Sequence, residues 1–532
     1  MFNDARQIPA GTVLDAEICI VGAGAAGISL ALSLRDRGMR VLLLESGGME
    51  LDEATQALYA GESRGVPNHD LDASRLRYFG GTTNHWAGWC RRLEATDFRP
   101  PNPGDLRGWP ITRDDLAPHY ATAQALCEVA PGDDDDAATW PAGPGMQALP
   151  LDPARLRTAL FRVSPPTRFA AAYGEALART RNIAVTLHAN VLEVQTDAQA
   201  TRVIGLRVRA LTGPEFAVTA RFFVLAAGGL ENARLLLLSN RAQQAGLGNG
   251  HDVVGRYFMD HPWLTDAGFI AFTRPSPGLA LYLDEPASSG STMFGALAQG
   301  APEPGIGGFR VVLHPARRVV EGVDALKSIA GDVAALRLPD RLWHKLGRVA
   351  ADYDAVVDSA YKTLFGTRKS IFGSPEAGAG PILGAHLDIN VEQLPDPASR
   401  VLLSASRDAL GQRRLVLDWR PGEAEKRTMR RAVELVGLEF GRLGLGRLRA
   451  KPLAEGSHWP ADMQGSRHHM GTTRMSVTPR TGVVDAECRV HGVTNLYMAG
   501  SSVFASCGFA NPTLTIVALA LRLGDRLARE FG

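Results

Sequence analysis

Two neighbouring histidines, His468 and His469, sit in the run Ser466-Arg467-His468-His469-Met470-Gly471-Thr472-Thr473-Arg474-Met475. Imidazole exchanges a proton near neutral pH, and Gly-Thr-Thr favours a turn over a helix, so the run can present a proton acceptor from a loop. Two histidines in a polar turn can equally do no more than satisfy local hydrogen bonds. Side chains of adjacent extended residues point to opposite sides, so only one of the pair is expected to face a given group. A second polar side chain with chemical potential is Asn511, in Ala510-Asn511-Pro512-Thr513, ahead of an apolar stretch reaching about Glu530. Asn before Pro signals a helix start, with Asn511 as N-cap and Pro512 in the first turn. The positive end of that helix would favour negative charge developing nearby.

The elements that must position these residues begin at the N-terminus. Ala16 to Val21 reads as a buried strand and runs into Gly22-Ala23-Gly24-Ala25-Ala26-Gly27; a helix to about Arg37 and a second strand from Arg40 to Leu44 follow, ending at Glu45. Strand, glycine turn, helix N-terminus and a distal acid form the context in which Gly-x-Gly-x-x-Gly holds a dinucleotide pyrophosphate. Glu45 is then expected on the adenosine ribose, and the pattern alone leaves NAD and FAD open. Tyr78-Phe79-Gly80-Gly81-Thr82-Thr83-Asn84-His85-Trp86-Ala87-Gly88-Trp89 adds a second glycine turn with hydroxyls and a His-Trp pair. Its amides could approach a further phosphate or a ring edge closely; the alternative is a hydrophobic loop clasped between domains.

At 532 residues the chain exceeds one ordinary core, so two or more domains are expected. Lys plus Arg number 57 against 56 Asp plus Glu, a net charge of +1 that leaves no electrostatic footprint for nucleic acid or an anionic membrane. Small molecules or proteins are the expected partners. Cys19, Cys90, Cys127, Cys488 and Cys507 are scattered, without a disulfide framework, a Cys-x-x-Cys metal pair or a Cys-x-x-Cys-His haem site; no metal is expected. Met1 to Leu14 lacks a basic run followed by an apolar stretch, and no segment is long enough to span a bilayer. Cytoplasmic is the default expectation, with export beside a partner subunit left open.

The middle of the chain is less regular. About Arg91 to Arg181 loses the strand-helix rhythm, and Asp133 to Asp136 reads as a solvated acidic loop. Strands are expected over Ile183 to Val194, Val203 to Val208 and Arg221 to Gly229, the last ending in the small residues Ala226 to Gly229 before a helix from Glu231 to Leu238. Pro262 biases His261 toward an extended conformation where the chain leaves one domain for the next, and His261 reads as structural. About Glu321 to Leu364 reads as amphipathic helix, a lid or a partner contact. Ala385 to Leu394 alternates, putting His386, Asp388, Asn390 and Glu392 on one strand face. That face, with Gln393, suits a polyhydroxylated substrate or simply solvent; both readings stand.

The opening glycine motif, Gly80 to Trp86, and His468-x-x-Gly471-Thr472 together resemble the glucose-methanol-choline (GMC) family of FAD-dependent oxidoreductases over nearly the whole chain. Gly-Gly-x-x-x-His-Trp is closest to its pyranose oxidase-like and sugar dehydrogenase branch. The resemblance implies an α/β (α+β overall) fold. Its Rossmann-like FAD-binding domain would comprise residues 1–90, 182–262 and 460–532. A discontinuous substrate-binding domain on an antiparallel sheet would take 91–181 and 263–459. It implies FAD held by Gly22, Gly24, Ala25, Ala26 and Gly27, by Glu45 and Ser46, and by Gly80, Gly81, Thr82, Asn84, His85, Trp86 and Ala87. Val191, Ala226, Ala227 and Gly228 would meet the adenosine end, and Gly500, Ser501, Asn511, Pro512 and Thr513 complete the set. Some members join FAD covalently at the histidine matching His85; non-covalent binding is the default.

By the same resemblance His468 takes the hydroxyl proton of an alcohol, Asn511 holds the same oxygen, and hydride passes from the carbinol to flavin N5. The expected substrate is a sugar, glycoside or polyol, contacted by Glu392, Gln393 and His469. Oxidation of a non-sugar alcohol in a biosynthetic pathway and a non-catalytic flavin-binding subunit are the alternatives. The electron acceptor (oxygen, a quinone or a protein) stays open.

Overall fold

The computed structural model describes residues 1–100, 106–132, 135, 147–273, 277–283, 292–316, 321–353, 356–357, 359–360, 382–454 and 456–531. Its first sheet has eight strands. Phe2–Asp4, Ile183–Leu187, Val41–Leu44, Val13–Val21 and Glu215–Leu225 lie side by side and parallel; Leu496–Met498 adds parallel to Glu215–Leu225. Val203–Arg209 and Asn190–Thr196 continue the sheet antiparallel. The central strands are apolar without alternation, as Ile18 to Val21 and Val41 to Leu44 illustrate, because both sheet faces are covered.

The helix Ala25–Ser33 crosses from the first of these strands. Two glycines permit the crossing. A Cβ on Gly22, at φ 105°, would lie 2.6 Å from the Ala226 carbonyl oxygen, and one on Gly27 would lie 1.8 Å from that of Gly22. The expected strand Ile183 to Val194 is two strands, broken at His188, which adopts φ 58°. The helix expected from Glu231 begins earlier, inside the small residues, and spans Gly228–Leu238.

The second sheet has nine strands, paired antiparallel throughout. Its main path runs Gly446–Ala450, Gly268–Phe272, Gly384–Val391, Phe309–Ala316, Met293–Gln299, Leu156–Val163 and Trp89–Cys90. Pro262–Leu264 pairs with both Gly384–Val391 and Met463–Gly465. The irregular stretch after Arg91 therefore contains one long buried strand. It also supplies the helices Ala117–Leu126, packed on the C-terminal helix Thr513–Phe531, and Phe169–Arg179, packed on Ala25–Ser33.

Within the acidic run only Asp135 is described, and it is not solvated: its carboxylate lies 2.5 Å from Arg92, 3.3 Å from Arg113 and 3.6 Å from Arg162. Buried opposite charges, not water, satisfy it. The amphipathic stretch forms helices Glu321–Ala334 and Leu342–Ala351, with Leu336 and Leu338 exposed between them and Trp343 exposed on the second; its expected end, past 360, lies outside the described residues. No helix among the described residues is long and apolar enough to cross a membrane.

Candidate active site

A cavity of about 840 Å³ opens where the carboxyl ends of the parallel strands meet the second sheet. Val21, Leu44 and Ala226 line it from the first sheet, and Arg310, Val312, His314, Asp388 and Asn390 from the second. Crevices at the carboxyl ends of parallel strands are where open α/β sheets bind ligands.

At the glycine end, Gly22, Gly24, Ala25 and Ala26 line the cavity at the start of the helix. No side chain caps that helix at Gly24, so its first amides and positive dipole end are left for an anion. Glu45 and Ser46 also face the cavity. The Glu45 carboxylate accepts the Ala23 amide (2.9 Å) on one oxygen and the Gly47 amide (2.9 Å) and Ser46 hydroxyl (3.2 Å) on the other. It therefore ties the glycine turn to the second strand as well as facing the ligand space. Gly27 is absent from the lining, since it sits beneath the Gly22 carbonyl.

Along the wall, Gly81, Thr82, His85, Trp86 and Ala87 line the cavity, and the Trp86 ring nitrogen is anchored on the Thr167 carbonyl at 2.8 Å. Gly80 and Asn84 do not reach it. The Gly80 amide binds the Ala23 carbonyl and the Asn84 amide group binds that of Phe79, both at 2.9 Å, so they shape the turn that presents their neighbours. Val191, Ala226, Ala227, Gly228, Gly500, Ser501, Pro512 and Thr513 all face the cavity.

At the histidine end the chain places three segments together. Met259 and Met470 pair as an antiparallel bridge, and one oxygen of the buried Asp260 carboxylate accepts the amides of His261 (2.7 Å), Ser466 (3.0 Å) and His468 (3.0 Å). The two histidine-bearing segments are thus clamped to one carboxylate. Desolvation pushes that carboxyl up to about 6 against these three bonds.

His468 Nδ1 lies 2.8 Å from His261 Nδ1, and His261 Nε2 lies 2.9 Å from the Gly508 carbonyl oxygen. His468 Nε2 faces the Asn511 amide nitrogen at 3.4 Å. The Asn511 side-chain oxygen accepts from Arg310 Nη1, which also donates to the Phe509 carbonyl at 3.2 Å, while Arg310 Nε donates to the Asn390 oxygen at 3.3 Å. With its oxygen committed to a guanidinium, Asn511 must turn its amide donors toward His468.

Among the described residues no carboxylate lies within 4.0 Å of the buried Arg310. Its charge rests instead on these neutral acceptors and on the faces of Trp89 and Phe161, 5.6 and 5.0 Å from the ring centroids. Desolvation lowers Arg310 to about 9. Desolvation also holds His468 well below the ordinary imidazole range, helped by His261 and Arg310. His261 is pushed down to about 3 by desolvation and Arg310.

Several expectations change here. The C-terminal helix begins at Thr513, and the side-chain bonds of Asn511 run to Arg310 and His468, so Asn511 is not spent as an N-cap. Both neighbouring histidines line the cavity. Arg467, at φ 62°, breaks the regular extended path; His468 turns to His261 and Asn511, whereas His469 packs by Phe258 and is held down to about 3 by desolvation and Arg75.

Glu392 and Gln393 do not line the cavity. Glu392 accepts the Gly308 amide at 2.9 Å, and the Gln393 oxygen accepts the Asp260 amide at 3.0 Å and the Trp419 ring nitrogen at 2.8 Å. The alternating strand changes environment along its length: His386 is exposed and pairs with Asp266, while Asp388 and Asn390 face the cavity. Arg310, His314, Trp263 and Arg467 join the lining without any signal in the sequence that singled them out.

The uncapped helix start, the open space at the Cβ positions of Gly24 and Gly228 and a cavity of about 840 Å³ fit a dinucleotide, and the family matches define the class as FAD-dependent oxidoreductase. Residues 17–349 match the family model described as FAD dependent oxidoreductase, and residues 395–520 match the model described as GMC oxidoreductase. The fructose dehydrogenase large subunit of Gluconobacter japonicus is 25% identical, covering 97% of this chain and 98% of its own. Paromamine 6'-oxidase of Streptomyces fradiae is also 25% identical, over 97% and 91%. The crystal structure of pyridoxine 4-oxidase from Mesorbium loti superposes with a TM-score of 0.54 at 18% identity, covering 96% of this chain and 98% of that one. The chain belongs to the GMC oxidoreductase family, whose members are FAD enzymes acting on CH–OH donors.

Proposed function

We propose that this enzyme oxidises a primary or secondary carbinol of a sugar, glycoside or polyol, with His468 as the base. The observation that carries this reading is the 3.4 Å pairing of His468 Nε2 with the Asn511 amide. A hydroxyl placed between them accepts a hydrogen bond from Asn511 and gives its proton to His468 Nε2. Holding one oxygen between a fixed donor and a fixed base removes the orientation cost of the proton transfer. Bound FAD supplies the acceptor for the hydride that leaves the same carbon.

The chain's own residues prepare this step. Arg310 fixes the Asn511 amide and adds positive potential where the alcohol oxygen gains negative charge. The segments 1–90, 182–262 and 460–532 hold the cofactor: Gly22 to Ala26 at the pyrophosphate, Glu45 at the ribose, Val191 and Ala226 to Gly228 at the adenosine. Gly81, Thr82, His85, Trp86, Ala87, Gly500, Ser501, Pro512 and Thr513 take the flavin portion, bound without a covalent link at His85. Segments 91–181 and 263–459 frame the substrate, where Asp388, Asn390 and His314 offer polar groups to hydroxyls that lose their water.

The sugar-directed names of the fructose and paromamine relatives support the substrate class. Anaerobic mixing of the FAD-loaded enzyme with sugars, polyols and simple alcohols tests it. Bleaching of the flavin absorbance is expected with the polyhydroxylated compounds; bleaching by simple alcohols alone sinks the substrate class, and none at all sinks the catalytic reading.

A further inference from the structure

We propose that His261 decides which nitrogen of His468 is the base; this rests on the reading of His468 given above. A backbone carbonyl can only accept, so the 2.9 Å contact between His261 Nε2 and the Gly508 oxygen requires the proton of His261 to sit on Nε2. In neutral His261, Nδ1 is then a lone pair. The 2.8 Å contact between the two Nδ1 atoms must therefore be a hydrogen bond donated by His468. With its proton on Nδ1, neutral His468 presents a bare Nε2 toward the Asn511 amide, the side where the hydroxyl is expected.

The remaining groups packed around the pair agree with two neutral imidazoles. Arg310, from Phe309–Ala316, disfavours charge on either ring, and Arg467 and His469 disfavour it further on His468. The neighbouring carboxylate, Asp260, offers its Oδ1 to three backbone amides and not to either ring. Gly508 is held for its part in a left-handed turn at φ 54°, where a Cβ would meet the Asp97 carboxylate at 2.5 Å. The chain of command runs from a backbone carbonyl through one imidazole to the other, and it needs no charged group. Second partners that fix a histidine tautomer are worth orders of magnitude in other sites.

His261→Leu and His261→Asn, which are close in shape, separate tautomer control from packing. The Asn oxygen can stand where Nδ1 stood and still only accept; Leu cannot accept at all. In ¹⁵N-histidine-labelled FAD-loaded enzyme, with the His468 signals assigned from their loss in His468→Ala, His468 is expected to show a protonated Nδ1 and a bare Nε2. His261→Asn keeps this signature, and its flavin-reduction rate falls by less than about 10-fold; His261→Leu mixes the tautomers, and the rate falls by about 100-fold with FAD still bound. A protonated Nε2 in the parent enzyme overturns the proposal. So does an Asn variant that falls as far as Leu, or a Leu variant that keeps both signature and rate. Because the spectrum is independent of turnover, an active His468→Ala would remove the base assignment and leave the tautomer result standing.

Discussion

The two ends of the cavity are built by opposite means. At the glycine end the ligand meets backbone: bare amides at a helix start, glycines whose Cβ would collide with carbonyls, and one carboxylate that braces the turn. At the histidine end it meets side chains, each held by another side chain, with Arg310 behind Asn511 and His261 behind His468. In the first arrangement the amides, the helix start and the acid all fall between Gly22 and Gly47; the second gathers residues more than two hundred positions apart. Substitutions should therefore separate cofactor affinity from rate, and a failure of that separation would break the comparison.

The largest effect is expected from His468→Ala. Removing the base should lower the rate of flavin reduction by about 10³-fold while the protein still purifies yellow; His469→Ala should cost less than about 10-fold, and stopped-flow reduction measures both. Next comes Arg310→Met. It frees the Asn511 amide to flip and withdraws positive potential, so the rate should fall by about 10²-fold with FAD retained. Smaller and at the other end, Glu45→Gln weakens the charged brace on the Ala23 and Gly47 amides. Fluorescence titration should show FAD binding about 10-fold weaker, and reduction at saturating FAD should be unchanged. A slower saturated rate would mean that the two ends are not independent.

The contrast also explains what could be read from sequence. Gly22 to Gly27 and Glu45 declare themselves because strand, turn, helix and acid follow within one short stretch, and the physics of each is local. His468 was legible by residue type. His261 reads as structural from its place before Pro262, and nothing adjacent reveals the ring that it meets at position 468. Arg310 and Asn390 are cross-strand partners in the second sheet, a register that no pattern within either strand announces. Alternation did place Asp388, Asn390 and Glu392 on one face, but the strand ends at Val391, and Glu392 turns to the Gly308 amide. Asn511 shows the reverse error: a strong local helix-start signal hid a side chain claimed by a distant arginine.

The finest test of the side-chain-built end is its pH dependence. His468 works as a base only when neutral, and desolvation together with His261, Arg310, His469 and Arg467 makes its protonated form costly. A lowered value means that more acid is needed before the base is lost, so the acid limb of kcat/KM should lie well below 6.5. Asp260 does titrate nearby, at about 6. Its protonation at Oδ2 leaves Oδ1 accepting its three amides. Losing that negative charge lowers His468 further and keeps the limb acidic. Arg310→Met removes one of the charges that hold His468 down, so its limb should move up toward 6.5 as its maximal rate falls. A parent limb already centred at 6.5, or a variant limb that does not move, would mean that Arg310 acts on Asn511 alone and the two supporting side chains do not share one field.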